Sequence, residues 1–209
     1  DAPDKADLGR NGSYLVVRQL RQDVQGFWRF VDRQANGNAA QREHLASAMV
    51  GRKLDGEPLA ELQSPASTSG DGQRDLNAFD YSADPRGLRC PIGAHIRRAN
   101  PRNADLPPGN DGPLSWLART LGFDGQARGL DLAASTRFHR LLRRGREYGV
   151  AMTPEQALTS PHNNVDTGLH FMCLGANIAR QFEFVQSAWL AGLHFNGLHN
   201  ESDPLLGTH

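Results

Sequence analysis

The 209-residue sequence predicts an α+β domain of ferredoxin-like type, an antiparallel sheet covered on one face by helices. Three observations carry this expectation. A β-branched and aromatic run, Tyr14 to Leu20, is followed directly by a helical stripe of apolar residues. A second apolar run, Leu169 to Leu174, passes through Gly175 into another such stripe. Between them the chain is rich in Gly, Pro and Ser and keeps no period for long, as loops do. A complete ferredoxin-like unit has four strands and only three can be read, so the fold is expected to be incomplete at both ends.

Each element follows from its residues. YLVVRQL (14 to 20) has the composition of a strand, with Arg18 and Gln19 marking a wet end. Asp23 stands where an N-cap accepts backbone N–H bonds, and Phe27, Trp28, Phe30 and Val31 then place an apolar stripe on one side of a helix. Residues 41 to 50 (QREHLASAMV) form a second short helix that ends at Gly51. A loop-rich insertion is expected over about 51 to 135. Within it 77 to 102 is mostly non-periodic, 103 to 113 (NADLPPGNDGP) is a linker or surface loop, and 113 to 121 (PLSWLARTL) is a short helix whose Pro113 suits the first turn. Thr136 to Leu142 (TRFHRLL) reads as a strand that ends in the basic cluster Arg143, Arg144 and Arg146 and delivers two arginines to a glycine turn. After the strand 169 to 174, Ile178, Phe182, Val185 and Trp189 recur at helical spacing. The domain is expected to run from 12 to 209, after a charged, irregular linker of residues 1 to 11.

Charge narrows the function before any motif does. The chain carries 23 Lys and Arg against 23 Asp and Glu, and this balance removes the positive excess by which nucleic acids and anionic membranes are bound. No run approaches the ~20 apolar residues of a membrane span, since His170 and Asn177 interrupt the most apolar stretch. Two cysteines, Cys90 and Cys173, are too few for a disulfide framework or a structural zinc site, so both read as core or loop thiols. The sequence begins at Asp1 without a Met or a charged-then-apolar leader, the pattern of a fragment, a processed form or a trimmed chain.

Two basic clusters are the places where chemistry fits. His44, His194, His199 and His209 read as surface residues, and His139 and His170 fall inside expected strands. His95 differs. In CPIGAHIRRANPR it is followed by Arg97, Arg98 and Arg102, and one imidazole among several cations suits an anionic metal cofactor better than bare zinc. The plainer reading is a structural histidine, because most histidines ligate nothing. In RLLRRGREYG (140 to 149) a guanidinium suits an anion clamp or the stabilisation of transition-state charge, since it stays ionised and offers a fork of donors. The plainer reading there is a solvated strand end. Neither cluster alone identifies a reaction.

Taken together, four blocks resemble the C-terminal, haem-binding half of the dye-decolorizing peroxidase family. They are GSYLVVRQL (12 to 20), RCPIGAHIRRANPR (89 to 102), HRLLRRGREYG (139 to 149) and GLHFMCLGANIARQFEFVQSAW (168 to 189), and their order and spacing extend the resemblance from Gly12 to Gly207. The resemblance implies one half of a dimeric ferredoxin-like αβ-barrel that binds haem b. It implies His95 as the proximal iron ligand and Arg143, rather than Arg144, as the distal arginine. Leu169 and Phe171, on one side of a strand by its period of two, would line the distal face. Arg102 would face a haem propionate, with Arg97 the weaker candidate for that role. The implied reaction is oxidation of organic donors, dyes and phenolics, by hydrogen peroxide.

The sequence departs from the family pattern in three ways. The family's distal aspartate stands in a GxxDG motif, whereas GRKLDG (51 to 56) is one residue too long and GNDG (109 to 112) and GFDG (122 to 125) are one too short. Asp55, Asp111 and Asp124 are therefore rejected as the acid-base group, which is expected on a partner carrying the N-terminal half. Asn177 stands where many relatives have Asp, a position suited to hydrogen-bonding the proximal histidine; an amide there would leave the iron less electron-rich than a carboxylate does. The family also continues past DPLLG (203 to 207) with a further strand, the fourth that could not be read. Trp28, Trp116, Trp189, Tyr81 and Tyr148 are candidates to pass electrons from bulky donors, with packing the competing role for each. The rival class is a non-catalytic haem-binding or assembly module that needs a partner half; a haem-free structural domain is the third.

Overall fold

The structure, a computed structural model of the chain, describes residues 9–62, 75–102, 136–161 and 166–206. The helix expected at 113 to 121, with Trp116, Asp111 and Asp124, lies outside the described residues. Three strands, β1 (Tyr14–Arg21), β2 (Leu142–Tyr148) and β3 (Gly168–Gly175), form one antiparallel sheet in the order β1-β3-β2. These are three adjacent places of a ferredoxin-like sheet, and no strand among the described residues takes the fourth place beside β1. The fold is thus the incomplete ferredoxin-like α+β architecture that the sequence predicts.

Local chemistry explains the helices. The Asp23 carboxylate accepts from the Gly26 N–H at 2.8 Å and opens α1 (Val24–Gln34). Asn38 does the same for the Gln41 N–H at 3.0 Å and opens α2 (Ala39–Val50). A five-residue helix, α3 (His95–Ala99), follows the loops, and α4 (Pro154–Thr159) is opened by a reciprocal capping box between Thr153 and Gln156. Trp28 and Val31 of α1 pack with Ala46 of α2 and Ala157 of α4 into one core. Tyr81, Phe79, Cys90 and Ala94 make a second core beneath the loops that precede α3.

Three elements differ from expectation. Thr136–His139 is a 3-10 turn, and β2 starts only at Leu142, opposite Leu174. Tertiary tethers outweigh the β propensity of that segment: the buried Thr136 hydroxyl donates to the Arg102 carbonyl, and the His139 ring stacks on Phe184 at 3.7 Å. Gly145 lies within β2 instead of in a turn, opposite Phe171, where the Leu169 side chain fills the space a Cβ would need. The helix after β3 is wound wide, as π-helical segments Ala179–Glu183 and Val185–Leu190 with bonds such as Glu183 N–H to Ile178 O. Its expected stripe still points inward, with Val185 and Trp189 buried.

The sheet has two unlike faces. Alternation puts Val16, Arg18, Arg143, Leu169, Phe171 and Cys173 on one face, where Phe182 packs 6.2 Å from Phe171 and Arg18 lies over its ring. The other face carries Leu15, Val17, Leu142 and Leu174, which are 42% to 71% exposed and have no cover among the described residues. Gly168 crosses both neighbours closely: a Cβ there would sit 2.0 Å from the Leu20 carbonyl and 2.7 Å from the Tyr148 hydroxyl. No helix among the described residues is long and apolar enough to cross a membrane.

Candidate functional site

The loop through buried Cys90 and Ala94 delivers His95 as the first residue of α3. Its Nδ1 lies 2.9 Å from Oδ2 of Asp203, a residue with no exposed surface in the segment after the π-helical turns. Burial alone would raise the Asp203 pKa. The His95 hydrogen bond and charge, together with N–H bonds from Leu205 and Leu206 to the other oxygen, outweigh it and hold the carboxyl below its usual range. An ionised carboxylate only accepts, so Nδ1 of the ring donates to it, and Nε2 is the ring nitrogen with no hydrogen bond among the described residues. The His95 side chain is 24% exposed, which leaves it an open side.

Asn177 does not take part in this couple. Its side chain accepts from the Arg180 N–H at 2.9 Å and caps the start of the first π-helical segment. The carboxylate partner of His95 is Asp203, so the hydrogen bond to His95 expected from an amide at 177 is corrected. Arg97 is corrected as well. It is 1% exposed, donates to the Cys90 and Asp84 carbonyls at 2.8 and 2.9 Å, approaches the Asp84 carboxylate at 3.4 Å and lies over the Tyr81 ring. A guanidinium enclosed in this way has no free face for a propionate. Burial, the larger cause, pushes the Cys90 thiol up to about 11, against the opposing charge of Arg97, so Cys90 is a core thiol.

Arg102 and Arg143 converge. Both line a cavity of about 340 Å³ whose wall also includes Arg140, His139, Thr136 and Trp189. Arg102, held by the Asn77 and Phe79 carbonyls and lying 3.7 Å over the Phe79 ring, has its pKa lowered by burial and by the charges of Arg52, Arg143 and Arg140. Arg143 is open to solvent along β2, yet crowding by protein atoms, with the charge of Arg52, lowers its pKa too. No carboxylate forms an ion pair with either among the described residues. Arg143 stands opposite Cys173, on the face that carries Leu169 and Phe171, whereas Arg144 points to the other face with Met172. His95 is not part of this cavity wall, but Ala99, Asn100 and Arg102, which continue from α3, are.

Of the aromatic candidates among the described residues, Trp189 alone borders the cavity; Trp28 and Tyr81 lie in the cores and Tyr148 packs on His170 at 4.8 Å. Asp55 sits in a turn where it accepts from the Glu57 N–H. The residues that sequence reasoning missed are Asp203 and His139. The turn signal Ser-Asp-Pro at 202 to 204 marks Asp203 as a loop residue, and nothing in it announces a distant imidazole.

The class defined by this arrangement is a ferredoxin-like α+β domain with a histidine–carboxylate couple beside a cavity of crowded guanidiniums. No family model matches the chain. Similarity to individual proteins is extensive. The chain is 31% identical over 205 residues to a multifunctional dye peroxidase of Amycolatopsis sp., a match that covers 94% of this chain and 38% of that protein. The solved structure of the Amycolatopsis protein superposes with a TM-score of 0.63 at 30% identity, covering 94% of this chain and 39% of the other. A DyP-type peroxidase of Anabaena sp. matches with a TM-score of 0.60 at 29% identity, over 94% and 36%. A dye-decolorizing peroxidase solved in complex with 2,6-dimethoxyphenol matches with a TM-score of 0.61 at 25% identity, over 93% and 41%. Over nearly its whole length the chain is similar to dye-decolorizing peroxidases, and it corresponds to the C-terminal part of such proteins. It spans little more than a third of the length of the curated relatives it matches.

Proposed function

We propose that this chain is the haem-binding part of a peroxidase that oxidises organic donors with hydrogen peroxide, and that its cofactor is haem b. The observation that carries the reading is the His95–Asp203 couple, an imidazole fixed through Nδ1 by a buried carboxylate with Nε2 left free to bind a metal. The cavity supports it independently, since Arg102 and Arg143 are crowded cations without a carboxylate partner among the described residues and suit an acidic cofactor. When bound, haem supplies an iron centre that takes two oxidising equivalents from hydrogen peroxide and returns them to donors.

The chain's own residues then have separate tasks. His95 holds the iron through Nε2, and Asp203 keeps the proton on Nδ1 and makes the ring a stronger donor. Arg102 neutralises a propionate. Arg143 stabilises negative charge on the departing peroxide oxygen with a guanidinium that stays protonated. Leu169 and Phe171, beside it on the sheet, keep water from that side. Moving the peroxide proton needs an acid-base group that no GxxDG segment of this chain provides, so it comes from an N-terminal half, against which the uncovered Leu15, Val17, Leu142 and Leu174 face would pack. Phenolic donors fit the neighbour solved with 2,6-dimethoxyphenol, and Trp189, at the cavity wall, would be the side chain that passes their electrons.

The test is the absorption spectrum of the haem-loaded protein. His95→Ala removes the Soret band while circular dichroism shows the fold retained. An unchanged spectrum, or iron carried by His139 or His170, would overturn the assignment.

A further inference from the structure

The His95–Asp203 couple joins two segments that share no secondary-structure element, so something must hold them in register. Asp203 is tied to its own turn by the Leu205 and Leu206 N–H groups, and its own N–H donates to the Leu190 carbonyl at 3.0 Å; these bonds fasten the turn to the end of the π-helical segment, and none of them reaches α3. The one side chain that reaches from α3 to both ends of the segment leading to Asp203 is Arg98. It has no exposed surface. One terminal nitrogen donates to the Trp189 carbonyl at 2.8 Å and to the Gly192 carbonyl at 3.2 Å, where the last π-helical turn ends; the other donates to the Glu201 carbonyl, two residues before Asp203. Phe195 lies under the guanidinium, 5.1 Å from its centre.

We propose that Arg98 is the positioning residue that sets Asp203 against His95. His95 and Arg98 sit on the same short helix, so fixing one fixes the other, and the fork of Arg98 spans the segment 189–201 at both ends. The Nε of Arg98 is buried and has no acceptor. Its place is explained by what the two terminal nitrogens hold. A lysine offers a compact charge without the fork, and cannot bridge carbonyls that lie on opposite sides of the guanidinium. What the couple does for a cofactor rests on the peroxidase reading above; that Arg98 aligns the couple does not.

The experiment reads the couple directly, on the full chain without cofactor. In ¹H–¹⁵N NMR the His95 ring N–H, assigned by its loss in His95→Gln, is expected as a downfield signal protected from water. In Arg98→Met and Arg98→Lys that proton exchanges about tenfold faster or more, while circular dichroism and the amide spectrum of the β1–β3 sheet are unchanged. Undiminished protection in Arg98→Met overturns the proposal, and if that variant does not fold, undiminished protection in Arg98→Lys does so. Loss of the fold in both overturns it as well, by making Arg98 a folding residue only. A second readout is the iron–histidine stretching frequency of the haem-loaded chain, expected to fall in Arg98→Lys. Because the NMR arm needs no haem, a chain that never binds haem refutes the functional reading and leaves this inference standing.

Discussion

His95 and Asp203 lie 108 positions apart in the chain and meet at 2.9 Å, with the carboxylate wholly enclosed. Burial by itself would favour the neutral acid; the imidazole and two backbone N–H groups reverse that and hold its pKa below the usual value near 4. A carboxyl whose folded pKa is depressed adds stability that is complete above its unfolded value and is lost as pH falls through the folded one. Denaturant unfolding measured from neutral pH into acid is therefore expected to show stability falling below about pH 4. Asp203→Asn lowers stability at neutral pH by about 1–3 kcal/mol and flattens the acid slope. An unaltered slope would mean that another carboxyl is responsible.

Arg143 is expected to govern reaction with peroxide more than retention of the cofactor, because it lines the cavity from the strand side while Arg102 is anchored at the wall by two carbonyls. Stopped-flow mixing of haem-loaded Arg143→Leu with peroxide, in the presence of a polypeptide supplying the N-terminal half, should slow formation of the oxidised enzyme by about a hundredfold or more. The resting spectrum stays close to that of the parent. Arg144→Leu, altered on the opposite face, should leave the rate within about twofold, well inside the effect of a lost charge-stabilising donor. A larger loss from Arg144→Leu reverses the assignment of the two arginines.

Arg97 gives the opposite pattern. Replacing it with Met removes the donors of the Cys90 and Asp84 carbonyls and the cation beside the Asp84 carboxylate, which keeps the N–H bonds of Leu88, Arg89 and Cys90, a change expected to cost about 1–3 kcal/mol. Thermal unfolding should show the loss. Haem bound per folded molecule, read from the Soret band, should be unchanged, and a selective fall in haem content at full stability would return Arg97 to the cofactor.

The strands and helices with a clear period were legible in the sequence. β1, α1 and β3 each repeat an apolar pattern long enough to betray its geometry, and Asp23 carries its capping role in its side-chain chemistry. α3, only five residues long, is too short for any period, and the start of β2 was obscured because Thr136 and His139 are held by contacts across the fold that a local propensity cannot express. At the candidate site His95, Arg102 and Arg143 stood out through the motifs around them. Asp203 did not, since its partner lies 108 positions away, and Asn177 was given the role that Asp203 occupies. Arg97 looked available because sequence shows charge but not enclosure.

The close crossings at Gly168 and Gly145 bear on how faithfully the chain assembles. Gly168 meets β1 at the Leu20 carbonyl and β2 at the Tyr148 hydroxyl, at distances that admit a hydrogen atom and nothing larger, and Gly145 is pressed by Leu169. A sheet slipped by one residue would carry a side chain into that gap and would turn His170 and Met172 toward the face that holds Arg143. Such a misaligned pairing is refused at both borders of the middle strand before it can be consolidated, so the two glycines act as an error check on assembly, written where a side chain is forbidden.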